Sequence, residues 1–368
     1  MLRIDRRSIQ NFDWSFLGIV AVLILCGLVN LASATHAGVE EGLSDGVRRQ
    51  LMALGGGAFL LVVILMIDYR HFHRMALPIY VLSLALLALT LWLAPVTRGA
   101  QAWLFGGRLQ PSEFAKIGLV LALARYFVRN PPGEMTQLRQ FAIPALILAL
   151  PVGLIVMQKD MGVALLTLLV GLTYLPLVRV PFRAWVAVSA VGAGALVAIW
   201  NFGLAAYQQK RILDFIDPSR DPLSSGYQAL QSRIAVGSGG VFGKGWLEGT
   251  QSQLNFLPTQ HTDFAFSVLA EEWGFAGCFV ILGFYLLMLL WGLWIARNSR
   301  DSFGTMLAVG LVGTLFWPAA INIAMVLGLA PVIGVPLPLF SYGGSAIVAA
   351  SISVSLLLNI SMRRWALI

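Results

Sequence analysis

The chain has 368 residues, of which 58% are hydrophobic and only 11% are charged. This composition excludes an ordinary soluble domain, in which about 25% of residues are charged, and it predicts a polytopic membrane protein. The formal net charge of +8 would suggest a nucleic-acid partner in a soluble protein. In a membrane protein, basic cytoplasmic loops account for such an excess, so we expect no nucleic-acid binding.

Ten apolar runs are long enough to cross a bilayer as α-helices, which takes about 17 to 25 residues each. The runs lie near 14–34, 50–68, 74–94, 111–129, 139–157, 161–178, 183–203, 263–296, 303–328 and 340–362. We expect the longest of them to be tilted or broken. The predicted fold is an all-α polytopic membrane protein of about ten transmembrane helices, with residues 1–368 forming a single integral membrane domain.

Basic residues predict the orientation of these spans. Fourteen of the 25 Lys and Arg residues fall on the side of the membrane that holds both termini. Short connections on the other side carry six, and one long loop there carries five. Because long loops are translocated largely regardless of charge, the useful comparison is 14 with six. We therefore expect both termini to be cytoplasmic.

The long loop, 204–262, separates the seventh and eighth predicted spans on the extracytoplasmic side. Loops of this length are commonly functional. Within it, Tyr227, Leu230 and Ile234 are spaced to form the apolar face of a short helix lying on the membrane surface. Such a helix serves either as an anchor for the loop or as part of a substrate site.

A glycine-rich segment, 237–245, resembles a phosphate-binding loop only superficially. That pattern requires Gly where Ser238 stands and Ser or Thr where Gly245 stands, and it connects a strand to a helix. We therefore expect a flexible turn above the membrane surface, which the permissive backbone of glycine favours.

Several prolines fall within or beside the apolar runs. They are Pro144, Pro151, Pro318, Pro331, Pro336 and Pro338. They predict kinked or broken helices near the extracytoplasmic face, and broken helices in membrane proteins line cavities.

Four places put charge at or within the membrane, where an ionisable side chain is costly unless it is paired or used. In the first, Pro111 suits the first turn of a helix, and Glu113 and Lys116 lie three residues apart on one helix face. Either the two charges form an internal ion pair that stabilises the bundle, or Lys116 and the nearby Arg108 contact an anionic group.

Two further places allow the same choice between structure and function. Asp160 begins a span, where it either caps the helix or adds charge to a cavity. Lys210 and Arg211 lie in the long loop, as a solvated pair or as substrate contacts.

The fourth place is Asp263, where the long polar loop enters an apolar run. Thr262 or Asp263 would serve as a helix cap, but a cap does not account for the nearby His261, Glu271 and Glu272. On a helix, Glu271 would lie about 12 Å along the axis and about 80° around from Asp263. We therefore expect both glutamates to be structural, and Asp263 is the better candidate for a general base.

Motifs over nearly the whole chain, in the right order, make it strongly similar to the SEDS family of bacterial cell-wall polymerases. They are Arg98–Gln101, Gln110–Lys116, Asp217–Leu223, Gly226–Gln228, Ile234–Gly240, Gly243–Trp246, Gly249–Gln253, Phe256–Pro258, His261–Phe264, Leu269–Glu272, Gly334–Pro338 and Ser341–Ser345. The segment Gly243–Gln253 resembles the elongation branch of the family, RodA, rather than the division branch, FtsW.

The resemblance implies a ten-helix glycosyltransferase of the bacterial inner membrane that polymerises lipid II for cell elongation and rod shape. It implies an extracytoplasmic active site and a class B penicillin-binding protein as crosslinking partner. Asp263 falls on the family's essential aspartate, and Glu113, Lys116 and Asp160 fall on its polar cavity motifs.

Transfer from lipid II needs a base for the acceptor 4-hydroxyl and cations for the departing pyrophosphate. We expect Asp263 to be the base and Arg108, Lys116 and Arg211 to contact the pyrophosphate. Because the donor linkage is α and the product β in this family, the transfer should invert the anomeric carbon. No dedicated metal motif is visible, although Mg²⁺ or Mn²⁺ would assist by bridging the pyrophosphate.

Three positions depart from the family pattern. Thr259 stands where Glu is common, Lys159 where Pro is common, and Ala102 where Arg is frequent. These departures leave Asp263 in place but change the charge expected around it.

Two other classes of function also suit the sequence. A flippase for lipid-linked sugars would share the many spans, broken helices and intramembrane charges. The other alternative is a noncatalytic scaffold for the penicillin-binding protein.

Overall fold

The computed structural model describes residues 12–36, 43–97, 99–131, 133, 138–177, 194, 200–201, 209–210, 213, 215, 225–254, 256–257 and 259–364. The predicted seventh span, 183–203, lies almost wholly outside the described residues, and Arg211 lies outside them.

The described residues form α-helices joined by turns and loops, with two isolated β-bridges and no sheet. The helices are α1 (Trp14–Ala34), α2 (Asp45–Met66), α3 (Tyr69–Leu93), α4 (Pro111–Arg129), α5 (Ala142–Met157), α6 (Met161–Leu172), α7 (Ser225–Ser238), α8 (Thr250–Gln253), α9 (Ala265–Arg297), α10 (Ser302–Val326) and α11 (Gly344–Met362). The predicted all-α class is confirmed.

Within the described part of the chain, six helices are long and apolar enough to cross a membrane: α1, α2, α3, α9, α10 and α11. Helices α5 and α6 are apolar but shorter. The chain is therefore an all-α polytopic membrane protein. Helices α2 and α3 begin earlier than predicted because polar residues cap them: Ser44 Oγ accepts from the N–H of Val47 at 3.3 Å, and Asp68 Oδ1 accepts from the N–H of Arg70 at 2.9 Å.

The longest helix, α9, is interrupted at Gly274, where φ is 64° and ψ is −163°. The expected break in this run is confirmed. Residues 240 and 241 fill the break, since Gly240 O accepts from the N–H of Phe275 and Val241 O accepts from the N–H of Ala276, each at 2.9 Å.

The glycine-rich segment contains the expected turn at 239–242, and this turn packs closely against α9. The N–H of Lys244 donates to Glu271 O and the N–H of Gly245 donates to Glu272 O, each at 3.0 Å. Glycine permits this close approach of two backbones. A Cβ atom on Gly239 would lie only 1.9 Å from Ala270 O.

The short helix expected after residue 226 is present as α7. Its buried Ser232 connects it to the bundle: Ser232 Oγ lies 2.9 Å from Ser267 Oγ and donates to Val326 O at 2.8 Å. Leu230 and Ile234 remain exposed on the outer face. The location of α7 at a membrane surface stays a prediction.

Helix α10 packs against α4, α6, α9 and α11. Glycines allow close packing on its α6 side, where Gly310 faces the Tyr174 side chain and Gly313 faces Thr173. Pro318 lies inside α10, and the non-helical stretch after Val326 carries the proline cluster predicted to break a helix. This stretch forms one wall of the cavity described next.

Candidate active site

A cavity of about 1250 Å³ opens between α2, α4, α6, α10 and α11 and is also lined by loop residues. Five of the six site residues predicted from the sequence line it, and they come from three separate parts of the chain. They are Arg108, Glu113, Lys116, Asp160 and Asp263. The fold therefore brings together charges that lie as far apart in sequence as residues 108 and 263. The sixth residue, Arg211, lies outside the described residues.

Glu113 and Lys116 form the expected ion pair on α4, with Lys116 Nζ 2.8 Å from Glu113 Oε1. The Lys116 side chain is 4% exposed and that of Glu113 is 12% exposed. Pro111 is the first residue of α4, as predicted. The predicted ion pair is confirmed, and because both residues also line the cavity, it does not exclude a substrate contact.

Asp160 lies in the short connection between α5 and α6 and caps α6. Its Oδ1 accepts from the N–H of Val163 at 3.3 Å, while Oδ2 accepts from Gln110 Nε2 at 3.1 Å. Burial raises the pKa of the Asp160 carboxyl, whereas these two hydrogen bonds lower it by favouring the carboxylate. The cap interpretation is confirmed, and the same carboxylate also lines the cavity.

Asp263 lies just before α9. The N-cap position belongs to Phe264, whose side chain forms no capping hydrogen bond. Thr262 Oγ1 instead donates to Thr259 O at 3.2 Å. Neither Thr262 nor Asp263 therefore occupies the N-cap position of α9.

The wall opposite Asp263 is the non-helical segment 331–343. Gly334 has a φ of 74°, and a Cβ atom there would be 3.4 Å from Asp263 Oδ2. The N–H of Tyr342 donates to His261 O at 3.0 Å, which joins the two walls. Buried Gln50 supports the far end, because its Nε2 donates to Ser341 O at 3.0 Å.

Glu271 and Glu272 are structural, as expected, and neither lines the cavity. Fully buried Glu271 accepts from Lys244 Nζ at 2.7 Å and from the backbone N–H groups of Gln251 and Ser252 at 3.0 and 3.3 Å. Glu272 accepts from the hydroxyl of Ser33 on α1. Glu271 therefore attaches the segment before α9 to α9, and Glu272 attaches α9 to α1.

Two further basic side chains and one imidazole line the cavity without having been predicted as site residues: Arg49, Lys159 and His261. Arg49 was assigned to a connection because the predicted span began at residue 50, whereas α2 begins at Asp45. Among the described residues, four cations and three carboxylates line the cavity. An anionic substrate group therefore meets a slight excess of positive charge.

The departures from the family pattern have local structural consequences. Lys159 has a φ of 61°, which proline cannot adopt, and its N–H donates to Val156 O at 2.9 Å. Thr259 also has a positive φ, 53°. Ala102 is 1% exposed, a site too enclosed for an arginine side chain without rearrangement. The turn at 159 therefore differs from one built around proline.

Among the described residues, no group of three or more His, Cys, Asp or Glu side chains is arranged to hold a metal ion.

Comparison with known proteins gives matches over almost the full chain. The family model of the FtsW, RodA and SpoVE cell cycle proteins matches residues 13–365. Peptidoglycan glycosyltransferase MrdB of Escherichia coli K12 is 38% identical over 359 residues, which cover 96% of this chain and 94% of that protein.

Solved structures also match the chain over almost its full length. One chain, from a structure concerned with coordination of polymerization and crosslinking by a peptidoglycan synthase complex, is 34% identical with a TM-score of 0.81. That match covers 96% of this chain and 98% of that chain. The crystal structure of Thermus thermophilus rod shape determining protein RodA is 32% identical with a TM-score of 0.71, covering 96% and 98% respectively.

Proposed function

The chain belongs to the family of FtsW, RodA and SpoVE cell cycle proteins, and from this membership we propose that it is a peptidoglycan glycosyltransferase. Its substrate is lipid II, which it polymerises into glycan strands for cell elongation and rod shape. The observation that carries the proposal is the convergence of Asp263, Lys116, Arg108, Glu113 and Asp160 on one cavity. The peptidoglycan glycosyltransferase name of the relative with 38% identity supports it.

Asp263 acts as the general base in this proposal. It takes the proton of the acceptor 4-hydroxyl as that oxygen forms a bond with the anomeric carbon of the donor sugar. The bond from this carbon to the lipid pyrophosphate breaks at the same time, and the electron pair leaves with the pyrophosphate. A single displacement of this kind inverts the anomeric carbon, as the family's α donor and β product require.

The cavity cations stabilise the departing pyrophosphate. Lys116 and Arg108 carry positive charge into the cavity, and fixed charges aimed at a developing anion lower the barrier to its departure. Arg211 is a third proposed contact from the long loop. Glu113 orients Lys116, and Asp160 contacts polar groups of the substrate. A bridging Mg²⁺ or Mn²⁺ would arrive with the pyrophosphate, so its contribution is measured by running the assay with and without each ion.

The proposed topology places ten helices across the bacterial inner membrane, with 183–203 as the seventh span. Both termini are cytoplasmic, and the cavity and the loop 204–262 face the extracytoplasmic side. The distribution of Lys and Arg residues supports this orientation. A cysteine accessibility experiment tests this orientation. Phe105 is an exposed loop residue beside the cavity, and a Phe105→Cys variant should react with a membrane-impermeant thiol reagent added from outside.

The proposed partner is a class B penicillin-binding protein, which crosslinks the strands that this chain makes. The structural resemblance to a chain from a peptidoglycan synthase complex supports this partnership. Co-purification with the crosslinking enzyme, followed by measurement of polymer length with and without it, tests whether the two act together.

A polymerisation assay separates this function from its two alternatives. Purified protein in detergent receives labelled lipid II, and the products are resolved by length. Polymer supports the enzyme, because detergent abolishes membrane sidedness. Movement of lipid II across a vesicle membrane without any polymer would instead identify a flippase. A scaffold would be identified if the Asp263→Asn variant restored growth to cells that lack the gene.

A further inference from the structure

Asn322 is a fully buried amide on the cavity side of α10. Thr314, Pro318 and Asn322 recur every four residues and share one face of this helix. The first two line the cavity, while Asn322 is 0% exposed behind them. Since a buried amide costs free energy unless it forms hydrogen bonds, its partners indicate what it does.

The amide nitrogen of Asn322 connects the two walls of the cavity. It donates to Asp263 O at 2.7 Å and to Val335 O at 2.6 Å. Both partners are carbonyl oxygens, which only accept, so the NH₂ group and not Oδ1 must face them. Within the described residues, Oδ1 of Asn322 has no hydrogen-bond partner. The polar contacts of this side chain therefore consist of these two donations.

Regular helix geometry does not hold the backbone of Asp263. In a continuous α-helix the N–H of Ser267 would bond to Asp263 O. Here it donates to Phe264 O at 2.9 Å instead. Asp263 O is thereby left for Asn322, which also holds Val335, the residue after the glycine that faces the Asp263 carboxylate.

We propose that Asn322 is a positioning residue for glycosyl transfer, and that its amide sets where the Asp263 carboxylate lies relative to the acceptor hydroxyl. This inference rests on the proposed function. A misplacement of about 1 Å in a reacting group is enough to lower a rate about 100-fold. Asn322 does not touch the substrate, and it acts through the backbone of Asp263 and Val335.

Two variants remove the paired donors. Asn322→Ala deletes the amide, and Asn322→Leu replaces it with an apolar side chain of similar size, which preserves the test should the alanine variant not fold. The matched control is Asn359→Ala. Asn359 is also 0% exposed, and its Nδ2 likewise donates to two backbone carbonyls, those of Ile64 and Ile67, but it does not line the cavity.

Each full-length variant is purified in detergent, its folded fraction is measured, and kcat and KM for lipid II are determined per folded molecule. Both Asn322 variants should lose about 10- to 100-fold in kcat, with KM within about threefold of the wild-type value. Asn359→Ala should lower the unfolding temperature at least as much as Asn322→Ala and keep kcat within about threefold.

Two results would overturn the inference: an Asn322 variant with kcat within about threefold of wild type, or an equal loss of kcat in Asn359→Ala. Wild type and Asp263→Asn are measured in the same assay. Polymer from wild type and none from Asp263→Asn keeps the proposed function intact, so a normal Asn322 variant then contradicts only the positioning role. Absence of polymer from wild type defeats the proposed function, and this inference with it.

Discussion

Gly334 lies directly opposite the carboxylate of Asp263, so that a Cβ atom on Gly334 would be 3.4 Å from Asp263 Oδ2. The φ of Gly334 is 74°, in the left-handed region that disfavours other residues. The position therefore combines an open approach to the proposed base with a backbone that glycine alone adopts easily.

Gly334→Ala should impair both stability and turnover. The left-handed backbone costs an alanine about 1–2 kcal/mol, and the added methyl group displaces solvent or acceptor from the Asp263 carboxylate. Unfolding temperature and kcat are the measurements.

Gly240→Ala is the matched control for that substitution. Gly240 also has a positive φ, 56°, but a Cβ atom there would meet nothing within 4 Å. It should show a similar loss of stability with normal kcat per folded molecule. Equal kcat in both variants would mean that the space beside Asp263 is not used.

The ion pair of Glu113 and Lys116 allows structure and function to be separated. Glu113→Gln leaves the buried Lys116 cation without its partner, which should cost about 3–5 kcal/mol of unfolding free energy. Adding Lys116→Met removes that buried charge and should recover most of the stability. Glycan synthesis should stay low in the double variant, because the proposed pyrophosphate contact is gone. Normal synthesis by the double variant would make the pair purely structural.

Asp160→Asn tests whether this carboxylate does more than cap α6. Asparagine caps helices about as well as aspartate, but its NH₂ group would replace the Oδ2 that accepts from Gln110 Nε2. The loss of this hydrogen bond should lower the unfolding free energy by about 1–3 kcal/mol. If the charge contacts substrate, KM for lipid II should rise about tenfold with kcat nearly unchanged. An unchanged KM would leave Asp160 with its capping role alone.

Glu271→Gln should loosen the segment that fills the break in α9. The substitution removes the charge that pairs with Lys244 and places an NH₂ group among backbone donors, which should cost about 1–3 kcal/mol. Limited proteolysis within 239–254 and the unfolding temperature report the change. Lys244→Met serves as comparison and should cost at least as much, because it leaves the fully buried Glu271 carboxylate without its cation. Wild-type unfolding temperature and protease resistance in both variants would contradict the anchoring role of Glu271.

Sequence patterns predicted the features that depend on interactions between residues close together in the chain. Helix α4 begins at Pro111 and ends at Arg129, as expected from a proline in the first turn and an apolar run. The three-residue spacing of Glu113 and Lys116 likewise predicted their contact. These features depend on residues within one or two helical turns of each other.

The features that escaped prediction depend on contacts between distant segments. The glycine-rich segment was predicted as a flexible turn because nothing near it in sequence indicates that Gly243 packs against Glu272 O. Asn322 and Asp263 are 59 residues apart. An amide one turn beyond Pro318 was the available signal, but an apolar run gives no indication of which carbonyls such an amide meets.

Asp263 is the proposed base for glycosyl transfer, and its role is measured by the rate of glycan synthesis by purified Asp263→Asn. Asparagine keeps the size of the side chain but cannot take the acceptor proton at neutral pH. With unchanged folding and unchanged binding of lipid II, we expect the rate to fall by at least about 10² to 10⁴. Glycan synthesis by that variant at close to the wild-type rate would show that Asp263 is not the base.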